Sequence, residues 1–550
     1  MAVPSTIADL SVTASDNSPS GSEPIGTALD NYIRAHGAFI AQLEANKADD
    51  SFLQSGTGAA ATTIQEKQRE SVSAADFAGF DKTGATDSTT AVSNACASLG
   101  AAGGNVIIPT GAKVLIDNNL TIPANVSLVG PHKFVGTPGS NSSAAYGSVG
   151  GALIINSIKT ITLSSGSSLS GLLMYRKGMT FPAADASAFA GTAITIGGDD
   201  AAVERCQILG FNKAIYSSGY QRPRFGYIYI DCQNGIDVTN CYDIPDIESV
   251  HCWPFSTIAT FASGGIAAVN QRTGTAFYLH DVADWVKLSN CFSYAYKYGY
   301  DISSVNSPTL VSCAVDGTSG ADIISGSRGF QVRGTTNDAK LIGCQAASQE
   351  IGFYNDSAAN VCNHYTNCIA WSGSTHGFYF GAGDATVHGG SAYNVPSGVT
   401  YTNAASRVLL SGVYFGATNA LPINSTVAAK TDKLIIKNPI FSSTADGSSP
   451  FSGMGGTLTA PSIASAGQLN IPATGEEFII TGTTGIGNIH EGWAGRQITL
   501  VFSGALTVVH GTGSASAVKL NSASNFVTAA NSTLTLKHNG TQWYEIGRSA

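Results

Sequence analysis

The chain has 550 residues, of which 12% are charged, with 63 glycines and 18 prolines. Charge this sparse, about half the share of an ordinary globular protein, suits short strands and tight turns and argues against helix bundles. The net charge is −9 and no run of Lys or Arg occurs, which disfavours nucleic acid or an anionic membrane as partner; no apolar stretch is long enough to span a bilayer.

Residues 1–72 begin MAVPSTIADLSVTASDNSPSGSEP, polar and Ser/Pro-rich, which reads as extended chain. The stretch has neither a basic start nor an apolar core, so no signal peptide is expected there. Ile25, Leu29, Tyr32, Ile33, Phe39, Ile40 and Leu43 then recur at helical spacing. One apolar stripe on an isolated helix needs a cover, either copies of itself or a larger assembly.

Residues 73–425 read as one β-rich repeat region with an N-terminal cap over 73–130. The cap predicts a helix from Ser88 to Leu99, then strands over Asn105–Ile108, Lys113–Ile116 and Ser127–Val129. Beyond it, a phrase recurs: a short apolar or β-branched run that leads to a cysteine, as in YIYIDCQNG, VKLSNCFSYAYKYG and PTLVSCAVDG. Aligned on Cys206, Cys232, Cys252, Cys291, Cys313, Cys344 and Cys368, several steps are 20, 22 or 24 residues, and the longer ones leave room for loops. A β unit this short cannot bury a face alone, whereas stacked coils can. The expectation is an all-β chain, a right-handed parallel β-helix with the cysteines as an inward ladder of free thiols. A Gly/Ser/Pro-rich hinge follows at 426–456. Residues 457–550, with EEFIITGTTG, GRQITLVFSG and NSTLTLKHNG, predict an antiparallel β-sandwich.

If the cysteines point inward, the residues one before, one after and three after point outward. Those columns carry Asp231, His251, Asn290, Trp253, Phe292, Tyr294, Asp316 and Trp371. Aromatic plates beside carboxylate, amide and imidazole groups suit a sugar, whose C–H face stacks and whose hydroxyls pair. The same side chains would also serve as packing under loops.

The segment ADFAGFDKTGATDSTTAVSNACASLGAAGGNVIIPTG, followed by LTIPANVSLVG, resembles the N-terminal cap of the pectate-lyase-like β-helix family. The middle segments ESVHCWPF and DVADWVKLSNCFSYAYKYGYDI resemble bacteriophage tailspikes, and the N-terminal segment resembles their virion-attachment segments. GRQITLVFSGALTVVHG resembles a C-terminal β module of phage β-helix proteins. The resemblance implies a homotrimer on the phage tail. Its N-terminus would dock on tail, baseplate or connector proteins, and its shaft would bind a bacterial surface polysaccharide. It implies that many relatives cleave that polysaccharide, by hydrolysis or by β-elimination, and it supplies no catalytic motif.

A glycosidase needs two carboxyl groups across the scissile bond. The candidates are Asp231, Asp246, Glu248, Asp281, Asp284 and Asp316, with Asp301 behind them; substrate-binding candidates are His251, Trp253, Trp285, Asn290, Phe292, Tyr294 and Trp371. Asp246 and Glu248 lie two apart and would share a strand face. Asp231 is expected one rung below His251. A lyase would need a base such as His251 with Lys287 or Arg205 beside it; His364 and His376 are less well placed. Cys362, His364 and Cys368 lack the paired-cysteine signature of zinc, so neither metal nor cofactor is expected. The sequence reading is a tailspike that degrades a capsule, exopolysaccharide or O-antigen chain at the cell surface, hydrolysis ahead of elimination. Its rivals are a non-catalytic receptor-binding fibre and a secreted pectinase-like enzyme.

Overall fold

The computed structural model describes residues 29–41 (except 30 and 31), 51–131 (except 70), 151–256 (except 182, 184 and 185), 271–318 (except 282), 323–416 (except 359), 421–442 (except 428) and 458–549 (except 512 and 514). The chain forms two compact units, residues 1–72 and 73–550.

In the first unit, residues 32–41 are helical. Tyr32 and Phe39, seven apart, are buried, while Leu29, Ile33 and Ile40 are exposed. The stripe is therefore only partly covered within one chain. Ile25 and Leu43 lie outside the described residues. Ser51–Leu53 pairs antiparallel with Ala61–Thr63, and the helix Ile64–Arg69 follows.

The second unit is dominated by three long parallel sheets of 14, 13 and 12 strands. Each coil contributes one short strand to each sheet in turn, so the chain winds as a parallel β-helix. Its right-handed sense is the one that nearly all parallel crossovers take. One rung is Arg224–Gly226 in sheet 1, Tyr229–Asp231 in sheet 2 and Asn234–Thr239 in sheet 3. The next is Asp246–Glu248, His251–Cys252 and Arg272–His280, and the one after is Lys287–Ser289, Phe292–Tyr294 and Tyr296–Ser303.

The cap is built as its residues dictate. The helix runs Thr89–Ser98, and the first coil is Gly104–Ile107, Lys113–Ile116 and Leu120–Ile122. The Asp81 carboxylate accepts from the Thr83, Ala85 and Thr86 amides and the Thr83 hydroxyl, which closes the loop ahead of the helix and holds its pKa well below the usual range. Gly103 has φ +72, and a Cβ there would lie 2.2 Å from the Asn125 carbonyl oxygen, so the turn demands glycine.

All ten cysteines are free, and all but the half-buried Cys362 are buried. The ladder itself differs from the expectation. The corner column between sheets 1 and 2 runs Leu172, Cys206, Ile228, Val250, Cys291, Cys313, Cys344, Cys368, Gly390, Val413, each amide after it bonding back to the column residue below. Cys232 and Cys252 belong elsewhere: Cys252 sits between Ile230 and Ser293. Ile and Val fill the slot as well as Cys does, so the thiol is a filler and the alignment slips where a branched residue replaces it. The residue before this column takes a left-handed conformation at rung after rung: Arg205, Tyr227, Ser249, Asn290, Ser312, Gly343, Asn367 and Gly389 all have φ between +51° and +63°.

The core is reinforced by a stack on the inner face of sheet 3. Phe277, Tyr300, Phe330, Phe353 and Phe378 lie on successive rungs with centroids 4.7, 4.5, 5.0 and 4.8 Å apart and planes within 11°. The rung spacing of a sheet matches the stacking distance of offset rings, so each ring covers the next.

The shaft continues past residue 425: Leu434–Lys437 and Ile440–Phe441 still pair with sheets 1 and 2, so the start of the expected hinge is one more rung. Residues 443–457 lie outside the described residues. The C-terminal region corrects the antiparallel expectation. Its six-stranded sheet is mixed: Ser462–Ala464, Glu477–Thr481 and Gln497–Phe502 are parallel neighbours, and only Thr533–His538 pairs antiparallel on both sides. Its core closes on the fully buried Trp543, whose indole N–H donates to the Ile489 carbonyl at 2.9 Å.

Candidate active site on the shaft

Sheet 1 turns an exposed face to solvent. In the rungs from residue 202 to 289, one outward column reads Ala202, Arg224, Asp246, Lys287 and its neighbour reads Glu204, Gly226, Glu248, Ser289. Ile247 points inward, so Asp246 and Glu248 do share the outer face, and both are exposed. Glu204 and Glu248 stand two rungs apart, about 9.6 Å along the shaft at the backbone. The rung between them carries Gly226, which puts no side chain into the gap. Arg205 and Tyr227 edge the site at the left-handed corner, and the Arg205 guanidinium donates to the Ser170 hydroxyl at 3.1 Å. Glu204, Arg205, Arg224, Tyr227, Asp246 and Glu248 line a cleft of about 320 Å³.

A larger recess, of about 840 Å³, lies between the last shaft strands and the C-terminal module, lined in part by Ile436, Lys437, Glu476 and Trp493. Size does not make it the better catalytic candidate: its two acidic lining residues, Glu476 and Glu477, are adjacent in sequence, and Glu476 is paired with Lys437 at 3.0 Å.

The other sequence-predicted residues are scattered over the shaft. Asp231 is fully buried. Its Oδ1 binds the equally buried Arg272 guanidinium at 2.6 and 3.2 Å, and its Oδ2 accepts from the Ser256 amide and hydroxyl. A carboxylate so enclosed holds chain to chain and does not reach a glycosidic bond. The residue one rung below His251 is Tyr229, so Asp231 does not orient that imidazole.

Asp281 and Asp284 lie at the corner between sheets 3 and 1, which sheet 2 does not touch. Asp281 accepts from His280 at 2.6 Å, and Asp284 accepts from the Asn306 amide at 2.9 Å. Trp285 is exposed at this corner, away from the other expected plates. Asp301 sits on sheet 3, clasped by Arg333 at 2.9 and 3.0 Å. Asn290 is exposed, in the left-handed corner column two rungs from Tyr227, just past the strand Lys287–Ser289.

His251, Trp253, Phe292 and Tyr294 do meet, on the outer face of sheet 2. Trp253 stacks on Tyr294 with centroids 4.2 Å apart, and His251 touches Tyr229, Trp253, Phe255 and Phe292 edge-on. Below them the face is a second small core: Leu173, Leu209 and Phe255 are buried, with Met179, Phe181 and Tyr229 packed on it. These rings are thus mainly packing. Burial among them lowers the His251 pKa to about 4, and its Nε2 is a buried atom without a hydrogen-bond partner. Lys287 is on sheet 1, so the base-and-cation pair of the lyase reading is not assembled. His364 bonds Thr386 and His376 bonds Thr400, on different sheets. Trp371 pairs with Tyr393 farther up sheet 2, with centroids 6.2 Å apart. No group of three His, Cys, Asp or Glu able to hold a metal occurs among the described residues, and Cys362, His364 and Cys368 form none.

Asp316 stands one rung above Tyr294. Burial there pushes its carboxyl up to about 6, against the pull of the Ser348 side chain and the Gly317 amide. A carboxyl with a folded pKa above its unfolded value loses stability as pH rises through the window between them, from about 4 to 6, and carries that cost above it. Asp316→Asn should therefore be more stable than the parent at pH 7 by about 1–3 kcal/mol and no more stable below pH 4, as measured by urea denaturation at the two pH values.

No family model matches the chain, and no curated protein matches it. Solved structures do. Tailspike protein 3 of bacteriophage CBA120 is 13% identical over 75% of this chain and 69% of that one, with a TM-score of 0.43. A double mutant of the tailspike of E. coli bacteriophage HK620, in complex with a pentasaccharide, is 11% identical over 93% and 98%, with a TM-score of 0.40. The catalytic unit of a GH87 alpha-1,3-glucanase from Streptomyces thermodiastaticus is 15% identical over 71% and 69%, with a TM-score of 0.42. Likeness at this level transfers neither residue roles nor activity.

Sequence reasoning missed Glu204, Arg224 and Tyr227. The signal was present: Glu204, Gly226 and Glu248 recur at intervals of 22 residues. An alignment anchored on cysteine does not line up the strands before the pivot, so Asp246 and Glu248 stand out as a local pair and not as part of a column with Glu204.

Proposed function

We propose that this chain is a phage tailspike that binds a bacterial surface polysaccharide and hydrolyses it in the sheet 1 cleft. The observation that carries the chemistry is the column Glu204–Gly226–Glu248, two carboxylates facing each other across an open rung, with Asp246 beside the second. One would protonate the leaving oxygen and the other would activate water. The segments at both ends that resemble tailspikes support placement on the virion, a homotrimer, and docking of the N-terminal unit on tail proteins. His251 lies among aromatic rings on sheet 2 while Lys287 is on sheet 1, which favours hydrolysis over elimination.

A two-rung backbone spacing of about 9.6 Å falls near the ~6.5–9.5 Å carboxyl separation of inverting enzymes and well beyond the ~5–5.5 Å of retaining ones. The expected product is the inverted anomer, read by NMR on freshly released ends. The test of the reading is incubation with host surface polysaccharide, following reducing ends together with the ultraviolet absorbance of unsaturated sugars. Reducing ends alone support hydrolysis. Absorbance with them would make the protein a lyase, and a polysaccharide that binds without being cut would make it a receptor-binding fibre.

A further inference from the structure

We infer that the polysaccharide on this face carries carboxylates, seated at Arg224 and Lys287. The inference rests on the reading of the sheet 1 cleft as the saccharide site and names the class of its substrate.

Arg224, Asp246 and Lys287 occupy one outward column on three successive rungs, and all three side chains are exposed. Arg224 and Lys287 make no ion pair among the described residues. Two other cations of this face do: Arg222 binds Asp200 and Asp243, and Lys340, farther along the same column, binds Asp338. The fold thus pairs those two and leaves Arg224 and Lys287 exposed, one rung below and one rung above the strand that carries Asp246 and Glu248.

Their spacing is two rungs, about 9.6 Å, close to the advance of two sugars in an extended chain. A polymer crossing the strands of sheet 1 would bring an acidic group to each cation at every second residue. Its scissile bond would lie over Gly226, one column away. The two cations also answer a local problem. Glu204, Asp246 and Glu248 would repel an acidic chain, and Arg224 with Lys287 offsets that repulsion. A planar guanidinium accepts a carboxylate in two parallel hydrogen bonds, which gives position as well as charge.

The experiment is binding and turnover of the full chain on an array of purified bacterial surface polysaccharides of defined structure, neutral and acidic. The strongest ligand is then retested after chemical reduction of its carboxylates to alcohols. The expected result is an acidic ligand whose affinity falls on reduction and with added salt. Arg224→Gln and Lys287→Gln should each weaken its binding about tenfold, with unchanged thermal melts. A neutral polysaccharide as the strongest ligand and substrate, or an acidic one bound equally well after reduction, would overturn the inference and leave the hydrolase reading standing. Failure to bind any member of the array would remove both.

Discussion

Glu248→Gln should lower turnover of the polysaccharide about a thousandfold and leave its binding intact, because the change removes a proton-transferring group and keeps its shape. Glu204→Gln should do the same, and the double variant should be little worse than either single one, since the two groups act on one bond as a unit. Asp246→Asn separates the roles within the cleft. Asp246 stands next to Glu248 on the same face but outside the Glu204–Gly226–Glu248 column, so its loss should act mainly on KM. Measuring kcat and KM for the three variants on one polymer decides the assignment. If Asp246→Asn abolishes kcat and Glu204→Gln does not, the pair is Asp246 with Glu248. Gly226→Leu tests the same geometry from the other side: a side chain in the open rung should block the polymer and leave the rungs paired. Gly226 has ordinary backbone geometry, and a Cβ there meets nothing within 4 Å.

The β-helix was legible because its physics is written as a period. Inward positions must be small or apolar, corners must tolerate a left-handed residue, and both constraints repeat with each coil. Asn290, Ser312, Gly343 and Asn367 show the second constraint as clearly as Cys291, Cys313, Cys344 and Cys368 show the first. The register was less legible. At the rungs of Tyr229 and His251, Ile228 and Val250 replace the cysteine, and anchoring on Cys232 and Cys252 displaced Asp231 and His251 into the wrong columns. Asp231 keeps the outward side of its strand, and what turns it from an apparent catalytic carboxylate into a structural one is the cover of Ser256 and Arg272. The outer surface was least legible of all. Whether Trp253 faces sugar or packing depends on what lies over it, and side-chain alternation along a strand says nothing of a covering loop. The C-terminal sheet shows a related limit: alternation in Glu477–Thr481 and Gln497–Phe502 reveals strands but not that these two run parallel.

Arg272→Met should be the most destabilising substitution considered, costing about 3–5 kcal/mol, because it strands the Asp231 carboxylate in the interior. Arg272 and Asp231 are both fully buried and 2.6 Å apart. Asp231 spends its second oxygen on the Ser256 amide and hydroxyl. The pair therefore ties three segments, the sheet 2 strand at Tyr229–Asp231, the turn at Ser256 and the start of the sheet 3 strand Arg272–His280. Asp231→Leu alone should be comparably harmful, since it removes the carboxylate that the buried Arg272 guanidinium binds at 2.6 Å. The double variant Asp231→Leu/Arg272→Met should recover much of the loss, because apolar groups in the same volume need no solvation. Urea denaturation of the four proteins closes the cycle. A double variant as unstable as the sum of the singles would mean that the two residues contribute separately, Asp231 through Ser256 and Arg272 through the Phe189 ring that its guanidinium covers at 5.2 Å. Turnover supplies the second readout. A structural pair should lower stability and leave kcat of the folded fraction unchanged, whereas loss of kcat at full folding would return Asp231 to the catalytic candidates.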